Sequence, residues 1–226
     1  MREKYDFLDI LNRYFNVNMI LGVCSVVVLL NVQALTTIAG LVSLVCAILS
    51  LIYTWRLYKT SNNKKMRTVF WLHIATGIIV FIMFISIMSM VMNMVFNQYS
   101  MTGYGSNSAA YVENIIEANA GLLLMIIAFA VALLVIRIIT TIFTLSFFKE
   151  EIPTEKIVSI YPTILTVSII AIVLDIVISA FMNSQAAVNV SSILSTAVFL
   201  YFLNLCRKEY ELLLNQENEI RYQDFE

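Results

Sequence analysis

Long apolar runs, each closed by a short polar segment, recur six times along the chain, at about 17–31, 34–55, 69–96, 120–147, 158–182 and 187–206. A helix that crosses a bilayer needs roughly 20 mainly apolar residues. It must also satisfy its backbone donors and acceptors within itself. Composition agrees with such helices. The chain is 60% hydrophobic and 13% charged, where soluble domains carry roughly 45–50% apolar and about 25% charged residues. Too little charge remains to clothe a water-soluble surface, which excludes an ordinary soluble enzyme and a disordered chain. A net charge of −1 leaves no electrostatic footprint for nucleic acid. The expected fold is an all-α integral membrane protein, a six-transmembrane-helix bundle spanning 17–206, with the lipid bilayer as its first partner.

Lysine and arginine orient the bundle. Arg2, Lys4 and Arg13 precede the first run. Arg56, Lys59, Lys64, Lys65 and Arg67 separate the second from the third. Lys149 and Lys156 separate the fourth from the fifth, and Arg207, Lys208 and Arg221 follow the sixth. The remaining basic residue, Arg137, lies inside the fourth run. The positive-inside rule then places both termini in the cytoplasm, N-in and C-in, with an even number of spans. A cleaved signal peptide ending at Val32-Gln33-Ala34 is the competing reading of the first run. Glu3, Asp6 and Asp9 in the leading segment, and the second apolar run directly behind, favour an uncleaved span. The usage of Asn, Ile and Lys points to an AT-rich bacterial genome, hence to a bacterial cytoplasmic membrane.

Outside the spans, residues 1–16 read as an amphipathic helix. Phe7, Leu8, Leu11, Tyr14 and Phe15 recur on one face, and Asp6, Asp9, Asn12, Arg13 and Asn16 take the other. The expectation is an interfacial helix lying against the inner headgroups and feeding into the first span. Asn31 to Ala34 leave room only for a tight hairpin between the first two spans. Residues 207–226 form an acidic cytoplasmic tail in which Tyr210, Leu213 and Leu214 suggest a helical continuation of the sixth span.

Polar side chains inside a span are costly and usually face protein. Asp175 is the one acid within an apolar run. Ser168, Ala171, Asp175, Ser179 and Asn183 share one face of span five. Ser86, Ser89, Asn93 and Asn97 share one face of span three, and Asn189, Ser192 and Thr196 one face of span six. All three stripes fall in the outer halves of their helices. They predict an outward-facing polar centre around Asp175, a substrate or ion site lined by Ser179, Ser86, Ser89, Asn93, Asn189, Ser192 and Thr196. The competing reading is interhelical hydrogen bonding alone, at about 0.6 kcal/mol each. Arg137 lies roughly 24 Å from the outer boundary and Asp175 roughly 10 Å at 1.5 Å per residue. That gap exceeds the reach of an arginine, so Arg137 is expected to turn towards the inner headgroups. Thr36, Gly40, Ser43, Ala47, Ser50 and Thr54 give span two a face of small residues that reads as helix packing. Met88, Met90, Met92 and Met94 repeat at MxxxM spacing but do not share a face, and read as adaptable filler.

No hydrolase elbow, zinc-protease helix, phosphate loop or intramembrane aspartate pair occurs. Cys24, Cys46, Cys206 and His73 make no metal-ligand spacing. No catalysis, metal or cofactor is expected. The leading expectation is a small transporter or the membrane subunit of one, with other membrane subunits or a cytoplasmic ATPase as partners and no nucleic acid. The alternative is a non-catalytic scaffold, assembly or immunity-type membrane protein in which the polar residues only fix helix packing. In size and span number the chain resembles the substrate-binding subunits of energy-coupling-factor vitamin importers and the permease halves of some bacterial exporters. That resemblance carries no residue motif and implies no residue roles.

Overall fold

A computed structural model describes the backbone of residues 2–30, 32–101, 108–181 and 185–223, and side chains over 4–28, 30, 32–92, 120–175 and 193–220. Within them lie six α-helices: α1 (Arg2–Leu29), α2 (Gln33–Ser61), α3 (Lys64–Met101), α4 (Ser108–Glu151), α5 (Glu155–Phe181) and α6 (Gln185–Gln223). Helices α1 to α5 are long and apolar enough to cross a membrane. The first turns of α6 fall among residues whose side chains are not described.

The chain divides into two compact units, with the division inside α3 and α4. The smaller unit comprises Leu72–Arg137. Its described part exposes many large apolar side chains. Ile78, Phe81, Phe84 and Ile85 of α3 and Leu124, Ile127 and Val131 of α4 are exposed. A helix of this kind is stable where hydrocarbon rather than water surrounds it.

The larger unit comprises Met1–Trp71 and Ile138–Glu226. In it α1 packs against α2 and α6, and α5 packs against α6. Its core lies at the end where the basic residues gather, called the basic end below. Phe147, Phe148, Phe202, Leu11, Leu57 and Met66 are fully buried there. Phe148 has ring centroids 5.0 Å from Phe147, 6.4 Å from Tyr14 and 6.5 Å from Phe202. Tilted and edge-to-face pairs at these separations are the favoured aromatic geometry. Four helices therefore meet on rings contributed by α1, α4 and α6, with Leu57 of α2 beside them.

The two turns at this end are built by local hydrogen bonds. Asn62 closes α2 in the left-handed region at φ 54°, a conformation asparagine tolerates better than most residues. Its N–H donates to the Tyr58 carbonyl at 2.7 Å. Asn63 caps α3, its Oδ1 accepting the Lys65 N–H at 2.9 Å. The α4–α5 turn carries Pro153, and the Thr154 hydroxyl accepts the Ile157 N–H at 3.4 Å to open α5.

The amphipathic segment over 1–16 continues without a break into the first apolar run, since α1 extends from Arg2 to Leu29. Its apolar face is not left to the headgroups. Phe7, Ile10, Leu11, Tyr14 and Val17 are buried in the protein. The reason is a partner that periodicity in one segment cannot show. Helix α6 also continues past the apolar run to Gln223, and Tyr210, Leu213 and Leu214 pack on the core that contains Phe7. The ring of Tyr210 lies 4.8 Å from that of Phe7.

Candidate functional site

Asp175 stands near the far end of α5 from the basic end. The described part of its face is buried, with Ser168, Ala171, Ile172 and Asp175 all under 10% exposed. That side of α5 meets protein, while Ile170, Val173 and Leu174 on the other side are exposed. Burial of a carboxylate is tolerated only with compensating polar contacts, and Asp175 does make a polar contact.

The other residues expected at this centre are placed as follows. Ser86 is buried and donates its hydroxyl to the Ile82 carbonyl of its own helix at 2.9 Å. Ser89, three residues on, is exposed. Thr196 is half-buried, and its methyl group takes part in a close approach of α6 to α1. A Cβ added at Gly22 would lie 3.2 Å from Thr196 Cγ2 and 3.2 Å from Leu200 Cδ1. Gly22 is thus the small residue that lets these two helices touch. Ser179, Asn93, Asn189 and Ser192 lie outside the residues whose side chains are described. The small face of α2 behaves differently from expectation at Gly40, where an added Cβ would meet nothing within 4 Å. Ser50 and Thr54, further along the same expected face, are buried, as are Ala39, Cys46 and Leu57.

A cavity of about 380 Å³ opens at the basic end, within the larger unit. Four helix ends supply its walls. From α1 come Lys4 and the ring of Phe7; from the last turn of α2, Thr60 and Ser61. The last residue of α4 supplies Glu151, and the extension of α6 supplies Tyr210, Leu213, Leu214 and Glu217. Its apolar floor is the edge of the aromatic core.

Charge around the cavity is ordered. Lys4 Nζ donates to both carboxylate oxygens of Glu217, at 2.5 and 2.7 Å. One turn of side chains further out, Asn218 Nδ2 donates to the Tyr5 hydroxyl at 2.8 Å. Glu151 Oε1 accepts from Asn63 Nδ2 at 3.1 Å, and the same amide reaches Glu150 Oε2 at 3.3 Å. Glu150 is paired with Lys65. Burial, then the nearby carboxylates of Glu217 and Glu151, push the Tyr210 phenol up from its ordinary value, so it stays protonated at neutral pH. The basic residues of the neighbouring turns are directed elsewhere. Lys59 sits 5.5 Å above the Trp55 ring, Lys149 4.6 Å above Tyr161, and Lys156 pairs with Glu209 at 3.2 Å.

Sequence reasoning did not find this cavity, although both halves of it carried a signal. Phe7 and Tyr210 each mark an amphipathic face, one at each end of the chain. Within its own segment each face shows only that it must be covered, whereas the structure closes one face on the other.

Comparison of the chain with known protein families, curated proteins and solved structures finds no match.

Proposed function

We propose that the chain is a six-span protein of a bacterial cytoplasmic membrane, both termini inside, that works as a transporter or as the membrane subunit of one. The polar centre of that activity is Asp175. The observation that carries the reading is a carboxylate 9% exposed on the protein-facing side of an apolar helix. Ionisable groups at membrane depth are rare because of their cost, and those that persist mark ion or substrate paths. Ser168 on the same buried face extends the polar surface. The topology follows from the basic end, since Lys and Arg collect on the cytoplasmic side. A membrane subunit or an ATPase would meet the protein there.

A second reading, a scaffold or assembly protein, has its own support. Ser25, Thr54 and Ser86 donate their hydroxyls to carbonyls four residues earlier in the same helix. Such groups serve the helix rather than a ligand.

Two measurements separate the readings. The tagged chain is purified from its membrane in mild detergent, and co-purifying proteins are identified by mass. The same preparation is placed in liposomes and assayed for proton, sodium and potassium flux. A stoichiometric transport subunit, or a flux that Asp175→Asn abolishes while the variant still folds, is the expected result. A chain that purifies alone and conducts nothing, with Asp175→Asn unchanged in yield and in thermal midpoint, overturns the transport reading.

A further inference from the structure

We propose that the cavity at the basic end is a binding site for a small primary ammonium group. The inference rests on the geometry of this end alone and not on the transport reading. Three kinds of observation converge on that chemistry.

The first is charge. Two carboxylates, Glu151 and Glu217, and one ammonium, Lys4, line the cavity, which leaves it one negative charge. Glu217 is already neutralised by Lys4, so the charge left over is that of Glu151. Two helices, α2 and α4, also end on the cavity wall, at Ser61 and Glu151. Helix C-termini carry partial negative charge and favour cations. Only the first turn of α1 acts in the opposite sense. An anion is therefore disfavoured from every wall but one.

The second is hydrogen-bond polarity. Thr60 and Ser61 give their hydroxyl protons to the Arg56 and Leu57 carbonyls, at 3.0 and 2.8 Å. The Thr60 oxygen is left as an acceptor, and that of Ser61 accepts the Asn63 N–H at 3.4 Å with a second lone pair to spare. Glu151 accepts only. This part of the lining thus wants donors, and an ammonium brings three. The Lys4–Glu217 pair shows the same recognition made within the chain.

The third is the apolar side. Phe7, Tyr210, Leu213 and Leu214 face the same space, and aromatic faces attract cations. They would hold a short alkyl stem while Glu151 holds its charged head. The volume of about 380 Å³ lies in the range of about 300–1,000 Å³ usual for small-ligand sites. Such an ammonium comes either from a free alkylamine or from an ethanolamine lipid headgroup.

The test uses the full chain in detergent and n-butylammonium as probe, followed by calorimetry or saturation-transfer NMR. Binding is expected, with n-butanol, the uncharged isostere, not binding. Glu151→Gln is expected to weaken the affinity about tenfold or more, the worth of one charge-assisted hydrogen bond. Leu213→Trp, which fills the cavity and leaves every charge in place, is expected to abolish binding. Glu211→Gln, an exposed carboxylate outside the cavity, is expected to change nothing. Equal binding of n-butanol, or unchanged affinity in both cavity variants, overturns the proposal, as does the absence of binding to the wild-type chain. Competition with a short-chain phosphatidylethanolamine, against phosphatidylcholine as control, identifies the source. Displacement by the ethanolamine lipid assigns a headgroup, and retention of the probe assigns a free amine.

Discussion

Lys4 and Glu217 stand 213 positions apart in the chain, yet the ammonium of one lies 2.5 and 2.7 Å from the two carboxylate oxygens of the other. The pair joins the start of α1 to the extension of α6 and forms one rim of the cavity. Both side chains are about half exposed, at 49% and 57%, so solvent screens the attraction and the pair contributes less than about 1 kcal/mol. Lys4→Glu and Glu217→Lys are each expected to lower the thermal midpoint slightly. The double exchange should restore it, and high salt should shrink all three differences. A double exchange no better than the worse single variant would show that the pair does not form.

Gly22 and Gly40 make opposite predictions. A side chain at Gly22 must enter the contact of α1 with Thr196 and Leu200 of α6, while one at Gly40 meets nothing of this chain. Gly22→Ile should destabilise the protein by about 1–3 kcal/mol, the usual cost of overpacking. Gly40→Ile should be neutral in detergent stability. Thermal denaturation of the two variants side by side decides it, and equal effects would contradict the α1–α6 approach.

Asn63 does two things with one side chain. Its Oδ1 caps α3 through the Lys65 N–H, and its Nδ2 bridges Glu150 and Glu151 at the end of α4. Asn63→Ala removes both and should cost about 1 kcal/mol or somewhat more. Asn63→Asp keeps the cap but sets a third carboxylate beside two others, so it should fare no better than Ala at neutral pH. Recovery of Asn63→Asp towards wild type when the carboxylates are protonated in mild acid, with Asn63→Ala unmoved, is the measurement that isolates the bridge.

Phe148 tests where the stability of the larger unit resides. It is fully buried among Phe147, Tyr14 and Phe202. Phe148→Ala should cost about 3–5 kcal/mol. Phe84 of α3 is 60% exposed, and Phe84→Ala should change the midpoint little. Comparable losses would show that the basic-end core does not dominate.

Much of the helical layout was legible beforehand because it depends on local chemistry. The packing of α1 on α2 follows from two apolar runs separated only by Asn31 to Gln33. The α2–α3 turn follows from the basic segment, Arg56 to Arg67, that separates the second apolar run from the third. The continuation of α6 was legible in the spacing of Tyr210, Leu213 and Leu214. The fate of amphipathic faces was not. The apolar face of residues 5–16 satisfies an interface with lipid as well as it satisfies α6, and nothing within that segment distinguishes the two. The polar stripes share this ambiguity. Ser86 and Ser89 lie on one side of a helical wheel, yet one is buried and the other exposed.

The sequence by itself determined that this chain forms long helices, that they suit hydrocarbon, and that its basic charge collects at one end. Those properties belong to single segments and to the cost of leaving backbone or charge in an apolar medium. Only the tertiary structure decided that Phe7 meets Tyr210, that Gly22 meets Thr196, and that Glu151 and Glu217 border one cavity. Such relations depend on which faces of distant helices come together, because a face declares only that it must be covered and not by what.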